Sequence, residues 1–285
     1  MAVPAAIAAL VGAGYVAIQS AIAISDWAER SAIIEIDNMS ADTLEFAHFQ
    51  LASGDLQRPL PQKIRPFDHV IITAVSDTFL RGAVGDLHFR GRDMTLFLDY
   101  SNPIGGGNDL DADVRGPRAN EFRWATAAGP GNRSARFHCA VWQDWQDEWR
   151  FCAKCRSMFT PGVGSRCPAG GPHDPVGWNY ILLHDVPEGP SLQATWRFCP
   201  KCHGLFAEGD GNGVCPAGGP HDPLGWRYCV PHDLAPGPHL QAGWRFCGKC
   251  RALFGEAEGN GVCPAGDAHQ PLGWPYLMVF ATPQP

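Results

Sequence analysis

The chain has 285 residues, 45% of them apolar, and carries 22 Lys and Arg against 29 Asp and Glu, a formal net charge of −7. That length holds one large domain or two to three small ones, with enough apolar content for a buried core. The acidic balance argues against a broad phosphate-binding surface, and no nucleic-acid partner is expected.

Residues 1–25 carry no charge, and Asp26 is the first charged position. A helix over 4–25 would reach roughly 33 Å, about one hydrocarbon thickness. On it Ala5, Ala9, Ala13, Ala17 and Ala21 recur every fourth residue, and Ala8 and Gly12 widen the small face. Val3, Ile7, Val11, Ile18 and Ile22 fall opposite. A stripe of small residues lets helices approach closely, and a bulky stripe suits lipid or another apolar surface. Three readings stay open for this segment, taken as 1–31. One is a secretory signal, although a positively charged start is missing, so no cleavable signal is convincing. The second is a helix packed on the protein's own body. The third is a helix that inserts into a membrane or associates with copies of itself, and length and lack of charge favour it. Ala5, Ala9, Gly12, Ala13 and Ala17 would then make close contacts, and Ile7, Val11, Ile18 and Ile22 the apolar ones.

From 32 to 145 the pattern becomes one of short β-type runs between turn residues: 32–37, 44–52, 70–75, 85–89, 94–100, 122–127 and 136–142. Leu87 and Phe89 alternate with His88, as on a strand with one buried face, whereas 95–99 is apolar almost throughout. Many short strands with no helical period between them indicate a β-sandwich. Asp109, Asp111 and Asp113 alternate along a further strand, so their carboxylates share one face. A calcium site there would need oxygens from other loops, and a solvated face is the simpler reading. The segment 102–108, rich in Gly and Pro, is either a turn between strands or a membrane-facing loop.

Two runs carry a resemblance. Leu80-Arg81-Gly82-Ala83-Val84-Gly85-Asp86-Leu87-His88-Phe89, followed by Leu96-Phe97-Leu98-Asp99-Tyr100-Ser101-Asn102-Pro103 and the glycines up to Asn108, is similar to the centre of an aegerolysin. The opening Ile34-Glu35-Ile36-Asp37-Asn38-Met39-Ser40, with Thr43 and Leu44, resembles that family's first strand and turn. The resemblance covers 32–143. It implies a small sandwich related in shape to the actinoporins, and a protein that recognises particular membrane lipids, often as the docking half of a pore-forming pair. The chain departs from the family at both ends, in its apolar first segment and in its cysteine-rich last 140 residues. Actinoporins also carry an N-terminal helix, but theirs is amphipathic with polar residues to line a lumen. Here Gln19 and Ser20 are nearly all there is, which argues against a simple helix-lined pore.

From 146 to 285 one text is written three times, as 149–195, 196–243 and 244–285, with a period of 47 and then 48 residues from Cys152 to Cys199 to Cys247. Each copy has the pattern Cys-x2-Cys-x11/12-Cys-x5-His, and nine of the eleven cysteines belong to it. Disulfides would leave one cysteine over in every copy, whereas three thiolates and an imidazole complete a tetrahedral Zn²⁺ set. The ligands are therefore Cys152, Cys155, Cys167 and His173; Cys199, Cys202, Cys215 and His221; and Cys247, Cys250, Cys263 and His269. His184 and His232 also recur, but their counterpart is Phe280, and His203 has Arg156 and Arg251 as counterparts, so none of these is a ligand. Four protein ligands leave no position for an activated water, so three structural ions are expected and no catalysis. Lys154, Lys201 and Lys249, one in each knuckle, would moderate the thiolate charge. Each copy also has a tryptophan pair (Trp149/Trp178, Trp196/Trp226, Trp244/Trp274), either core or an exposed aromatic platform for a sugar or partner.

The expected protein is mainly β: an apolar N-terminal helix (1–31), a β-sandwich (32–145) and three small zinc-stabilised β-repeats (146–285). No sequence signature of a hydrolase elbow, zinc protease or phosphate loop occurs, and no enzyme is expected. The expected function is membrane-lipid binding, with homo-oligomers and pore formation, by a secreted or released protein acting on a target membrane. The alternative is a non-lytic module that binds a glycan or protein through its repeats, or, less favoured, a nucleic-acid-binding zinc ribbon.

Overall fold

The computed structural model describes residues 30–53, 55–56, 59–76, 82–131, 133–237, 239–256 and 259–281. The helix expected over 4–25, with Ala5, Ala9, Gly12, Ala13, Ala17, Ile7, Val11, Ile18 and Ile22, lies outside them. Among the described residues no helix is long and apolar enough to cross a membrane. The chain divides between Gln143 and Asp144 into two units.

Alternation of apolar and polar residues makes a strand with one buried face, and two such faces must cover each other. Among its described residues the first unit does this with ten strands: β1 (Arg30–Met39), β2 (Leu44–Ser53), β3 (Asp55–Leu56), β4 (Lys63–Ile64), β5 (Asp68–Ser76), β6 (Ala83–Gly91), β7 (Met94–Asn102), β8 (Asp109–Arg115), β9 (Phe122–Ala128) and β10 (Ser134–Gln143). They form two five-stranded sheets, ordered β3-β5-β1-β10-β9 and β4-β2-β6-β7-β8. Ala32, Ile34 and Ile36 of β1 and Phe137, Cys139 and Val141 of β10 share one core with Leu87, Phe89, Leu96 and Leu98 of the other sheet. All seven expected runs are strands, and the acidic run is β8, with Asp109 and Asp111 exposed and Leu110, Ala112 and Val114 buried. β1 and β10 run parallel, pairing Ser31 with Ser134 through to Met39 with Trp142, a link between sequence-distant strands that no local period announces.

The residues that carry the family resemblance pin the turns of this sandwich. Asn38 Nδ2 donates to the carbonyls of Asp42 (2.7 Å) and Arg65 (2.9 Å), while its Oδ1 accepts from the Ser40 hydroxyl at 2.6 Å. Asn102 is fully buried, and its Nδ2 donates to the Ser31 carbonyl (2.8 Å). Gly85 is required by close approach, since a Cβ there would stand 2.5 Å from the Gln50 carbonyl oxygen. Asn108 closes the other end of its segment by donating to Gly129 O (2.9 Å) and Gly131 O (2.7 Å). The segment 102–108 is thus a turn fixed at both ends, with Ile104 exposed between them.

The described residues of the second unit form nine strands, three per repeat: β11 (Trp145–Cys152), β12 (Met158–Phe159) and β13 (Pro175–His184); β14 (Leu192–Phe198), β15 (Leu205–Ala207) and β16 (Leu224–Pro231); β17 (Leu240–Cys247), β18 (Leu253–Gly255) and β19 (Pro271–Ala281). In each repeat the first strand pairs with both others. The polar residues Gln146, Asp147 and Glu148 before Trp149 belong to β11. The repeats do not stand apart as three beads. β13 pairs with β16 and with β19, and His232 bridges to Tyr276, so the three long return strands close on one another.

One core serves all three copies. Trp149, Trp196 and Trp244 meet Tyr180, Tyr228 and Tyr276 there, with Met158, Leu205 and Leu253 filling equivalent places. Each tryptophan packs edge-to-face on the tyrosine of the following copy: Trp149 on Tyr228 (5.1 Å), Trp196 on Tyr276 (5.3 Å) and Trp244 on Tyr180 (5.3 Å). Tyr180 Oη donates to Gln241 (2.5 Å), Tyr276 to Gln193 (2.7 Å) and Tyr228 to Gln146, so every phenol is satisfied by a neighbouring copy. Burial pushes all three tyrosines up to about 12. A single repeat could not bury its aromatic face alone, and the ring is the solution.

Candidate metal centres and aromatic stations

Each Cys-x2-Cys segment turns back on itself by a backbone hydrogen bond, Arg156 N to Cys152 O (2.8 Å), His203 N to Cys199 O (2.7 Å) and Arg251 N to Cys247 O (2.8 Å). Arg156, His203 and Arg251 take positive φ (67°, 65° and 67°), which directs both thiols of the knuckle to one side. A second loop brings the third cysteine and the histidine. Lys154 ties the two together by donating to Gly170 O (2.7 Å) and Pro172 O (2.5 Å), as do Lys201 to Pro220 O (2.5 Å) and Lys249 to Gly266 O (2.5 Å). The lysines thus hold the loop by hydrogen bonds in addition to sitting near the thiols.

The structure brings together all twelve expected ligands as three buried clusters, Cys152/Cys155/Cys167/His173, Cys199/Cys202/Cys215/His221 and Cys247/Cys250/Cys263/His269. The first and third cysteines of each set stand 3.9 Å apart. The second cysteine lies 3.4, 3.5 and 3.4 Å from the histidine Nδ1 in the successive copies. Ligand bonds of about 2.3 Å to sulfur and 2.0–2.1 Å to nitrogen, arranged tetrahedrally, imply separations of roughly 3.8 and 3.5 Å. The clusters therefore fit a tetrahedral metal ion, while sulfurs this far apart form no disulfide. All eleven cysteines are free thiols. Each ligand histidine stacks on a buried phenylalanine: His173 on Phe159 (4.4 Å), His221 on Phe206 (4.7 Å) and His269 on Phe254 (4.7 Å). That contact fixes the ring plane so that Nδ1 faces the thiols.

Thiol acidity follows the same geometry. Hydrogen bonds from Cys155 and Cys250 lower Cys152 and Cys247, and Cys202 lowers Cys199 in the same way. Cys155, Cys202 and Cys250 are raised, chiefly because they hold the shared proton. A divalent ion would take the place of that proton. The two cysteines outside the pattern behave as buried apolar groups, Cys229 being pushed up to about 11 and Cys139 further by burial.

The tryptophan pairs split. Trp149 and Trp196 are 0% exposed and Trp244 is 3% exposed, whereas Trp226 and Trp274 are 46% and 43% exposed. Each outer tryptophan meets a ring from the preceding copy: Trp226 stacks on His184 (4.2 Å), Trp274 on His232 (4.0 Å), and Trp178 packs on Phe280 (4.7 Å). The recurrent histidines His184 and His232 therefore support two of three aromatic stations, and Phe280 supports the third. Asp185 and Asp233 accept from the Nδ1 of His184 (3.2 Å) and His232 (2.8 Å). Beside the outer tryptophans the strands expose Val176, Leu224 and Leu272, two positions earlier on the same face. The repeat period places an outer tryptophan in every copy, but carries no sign that its partner ring lies in the preceding copy.

No known protein family matches the chain, and no curated protein is similar to it. Among solved structures, the chain is similar to the crystal structure of the lipid binding protein Nakanori, with 10% identity over 48% of this chain and 85% of that one, and a TM-score of 0.39.

Proposed function

We propose that this chain is a membrane-lipid-binding protein of toxin type, without enzymatic activity, whose second unit is held together by three structural Zn²⁺ ions. The observation that carries the lipid reading is the 102–108 turn. Its ends are locked by Asn102 and Asn108, and Ile104 is left 45% exposed between them. An apolar side chain on a rigidly anchored turn enters the headgroup layer with little ordering cost. Zinc is the ion favoured by three thiolates and one imidazole in a closed tetrahedron, and a closed sphere supports folding rather than chemistry. Oligomers and a membrane pore would then rest on the apolar segment 1–25, in a protein released to act on a target membrane.

Vesicle experiments test this reading. The full chain should sediment with vesicles of a susceptible lipid and release an entrapped dye. Ile104→Asp should weaken sedimentation, and removing residues 1–25 should abolish release while leaving sedimentation. Unchanged release after that truncation defeats the pore role, and no sedimentation with any lipid composition defeats lipid binding. A second reading is favoured by the exposed Trp226 and Trp274 and the half-buried Trp178: the repeats would bind a glycan or protein at three stations at once, gaining avidity. Binding confined to 144–281, and lost on replacing these tryptophans, would favour it over the first.

A further inference from the structure

The outer face of the β4-β2-β6-β7-β8 sheet gathers three donors that the tripled pattern does not include. β2 and β6 pair Phe46 with Phe89 and then His48 with His88, with an irregularity between the two pairs that leaves Ala47 unmatched. Without that extra residue, strict alternation would send His48 to the core side with Phe46. The bulge turns it outward, directly opposite His88. Asp86 lies two positions before His88 on the same strand face. Its Oδ2 is 3.2 Å from His88 Nε2 and 3.6 Å from His48 Nε2, and the two rings are 4.8 Å apart. The candidate donor atoms of all three side chains lie within 4.8 Å of one another.

Two imidazole nitrogens and one carboxylate oxygen at bond lengths of about 2.0–2.2 Å around an ion stand roughly 3.3–3.5 Å apart. The two histidine–carboxylate edges, 3.2 and 3.6 Å, bracket this range, and small ring rotations of the exposed His48 bring the three donors to it. His88 is backed by Phe97 at 4.4 Å, which limits its ring motion. The face around it is acidic, since Asp99 pairs with Asp86 across the strands and with Asp111 beyond it, while Phe97 pairs with Asp113. Arg115 is engaged by Asp113 (2.7 Å). Such a face concentrates cations at its surface. We infer that His48, Asp86 and His88 form a surface site for a divalent transition-metal ion. It differs in kind from the buried clusters: it has no sulfur, only three protein ligands, and coordination positions open to solvent. Those features make it exchangeable and select Zn²⁺, Ni²⁺ or Cu²⁺ over Mg²⁺ or Ca²⁺.

The test uses the full chain with its Cys3His clusters loaded, titrated with Zn²⁺ and then with Ni²⁺ while histidine ring signals are followed by NMR. A fourth equivalent of Zn²⁺ should bind, removable by a mild chelator that leaves the other three. Substoichiometric Ni²⁺ should broaden the His48 and His88 signals and spare His69. His48→Ala and Asp86→Asn should weaken the fourth equivalent by more than the roughly 10–100-fold that loss of an outer-shell partner costs. A stoichiometry that stays at three, or Ni²⁺ broadening that omits these two rings, overturns the site. So does a fourth equivalent that survives the His48→Ala/His88→Ala variant.

Discussion

The two units of this chain reach order by different means. The sandwich closes one core between two sheets, filled by Leu87, Phe89, Leu96, Leu98 and Phe137. The repeat unit has a smaller aromatic core, and the rest of its interior is divided among three clusters made largely of cysteines and one phenylalanine each. Much of its length is turn, as Gly171, Gly219 and Asp267 at positive φ illustrate. The lesson is that apolar area suffices where strands are long and paired, whereas short knuckles need ligand bonds to replace area they cannot bury.

Metal removal should break this comparison most sharply. Structural zinc in small domains contributes about 10–16 kcal/mol of apparent binding free energy near neutral pH. A strong chelator should therefore unfold the repeat unit while amides of β1, β6, β7 and β10 stay protected against hydrogen exchange. Acidification acts in the same direction, because ligand thiolates bind protons in competition with the ion, so the metal is lost as pH falls. Loss of protection in both units together would show that they are not independent.

Single core changes come next. Trp196→Ala, at a fully buried position, should lower the stability of the repeat unit by about 3–5 kcal/mol, read as a shifted denaturant midpoint. Trp226→Ala, in the same repeat but 46% exposed, should cost less than about 1 kcal/mol and act on binding instead. Equal costs would mean that the outer tryptophan is structural. In the sandwich, Asn102→Ala leaves the Ser31 carbonyl without its buried donor and should cost about 1–3 kcal/mol, without changing metal content. The smallest effect sharpens the ring: Tyr276→Phe removes the hydrogen bond to Gln193 between two copies and should cost about 0.5–1.5 kcal/mol.

The Cys3His clusters were legible because their four residues lie within 23 residues of one another in each copy, from Cys199 to His221 for example. A knuckle is a local object. The strands of the sandwich were legible for the same reason, since alternation is a property of bonded neighbours. His48 was not. Its neighbours read as an ordinary alternating run, and only pairing with β6 reveals that Ala47 is an extra residue and that His48 faces outward. The tripled tryptophans were half legible. Their recurrence was plain, but which of each pair is inside depends on strands from another copy.

Legible in the chain alone are the Cys3His set of each knuckle, the strand periods and the acidic face of β8. All of these depend on spacings of a few residues to a few tens, where backbone geometry limits the choices. How distant pieces meet is settled by the folded chain. It closed three repeats into a ring through β13, β16 and β19, paired β1 with β10 in parallel, put Trp196 inside and Trp226 outside, and set two histidines opposite each other across a bulge. Those choices come from burying faces against partners far along the chain, and local spacing carries no record of which partner arrives.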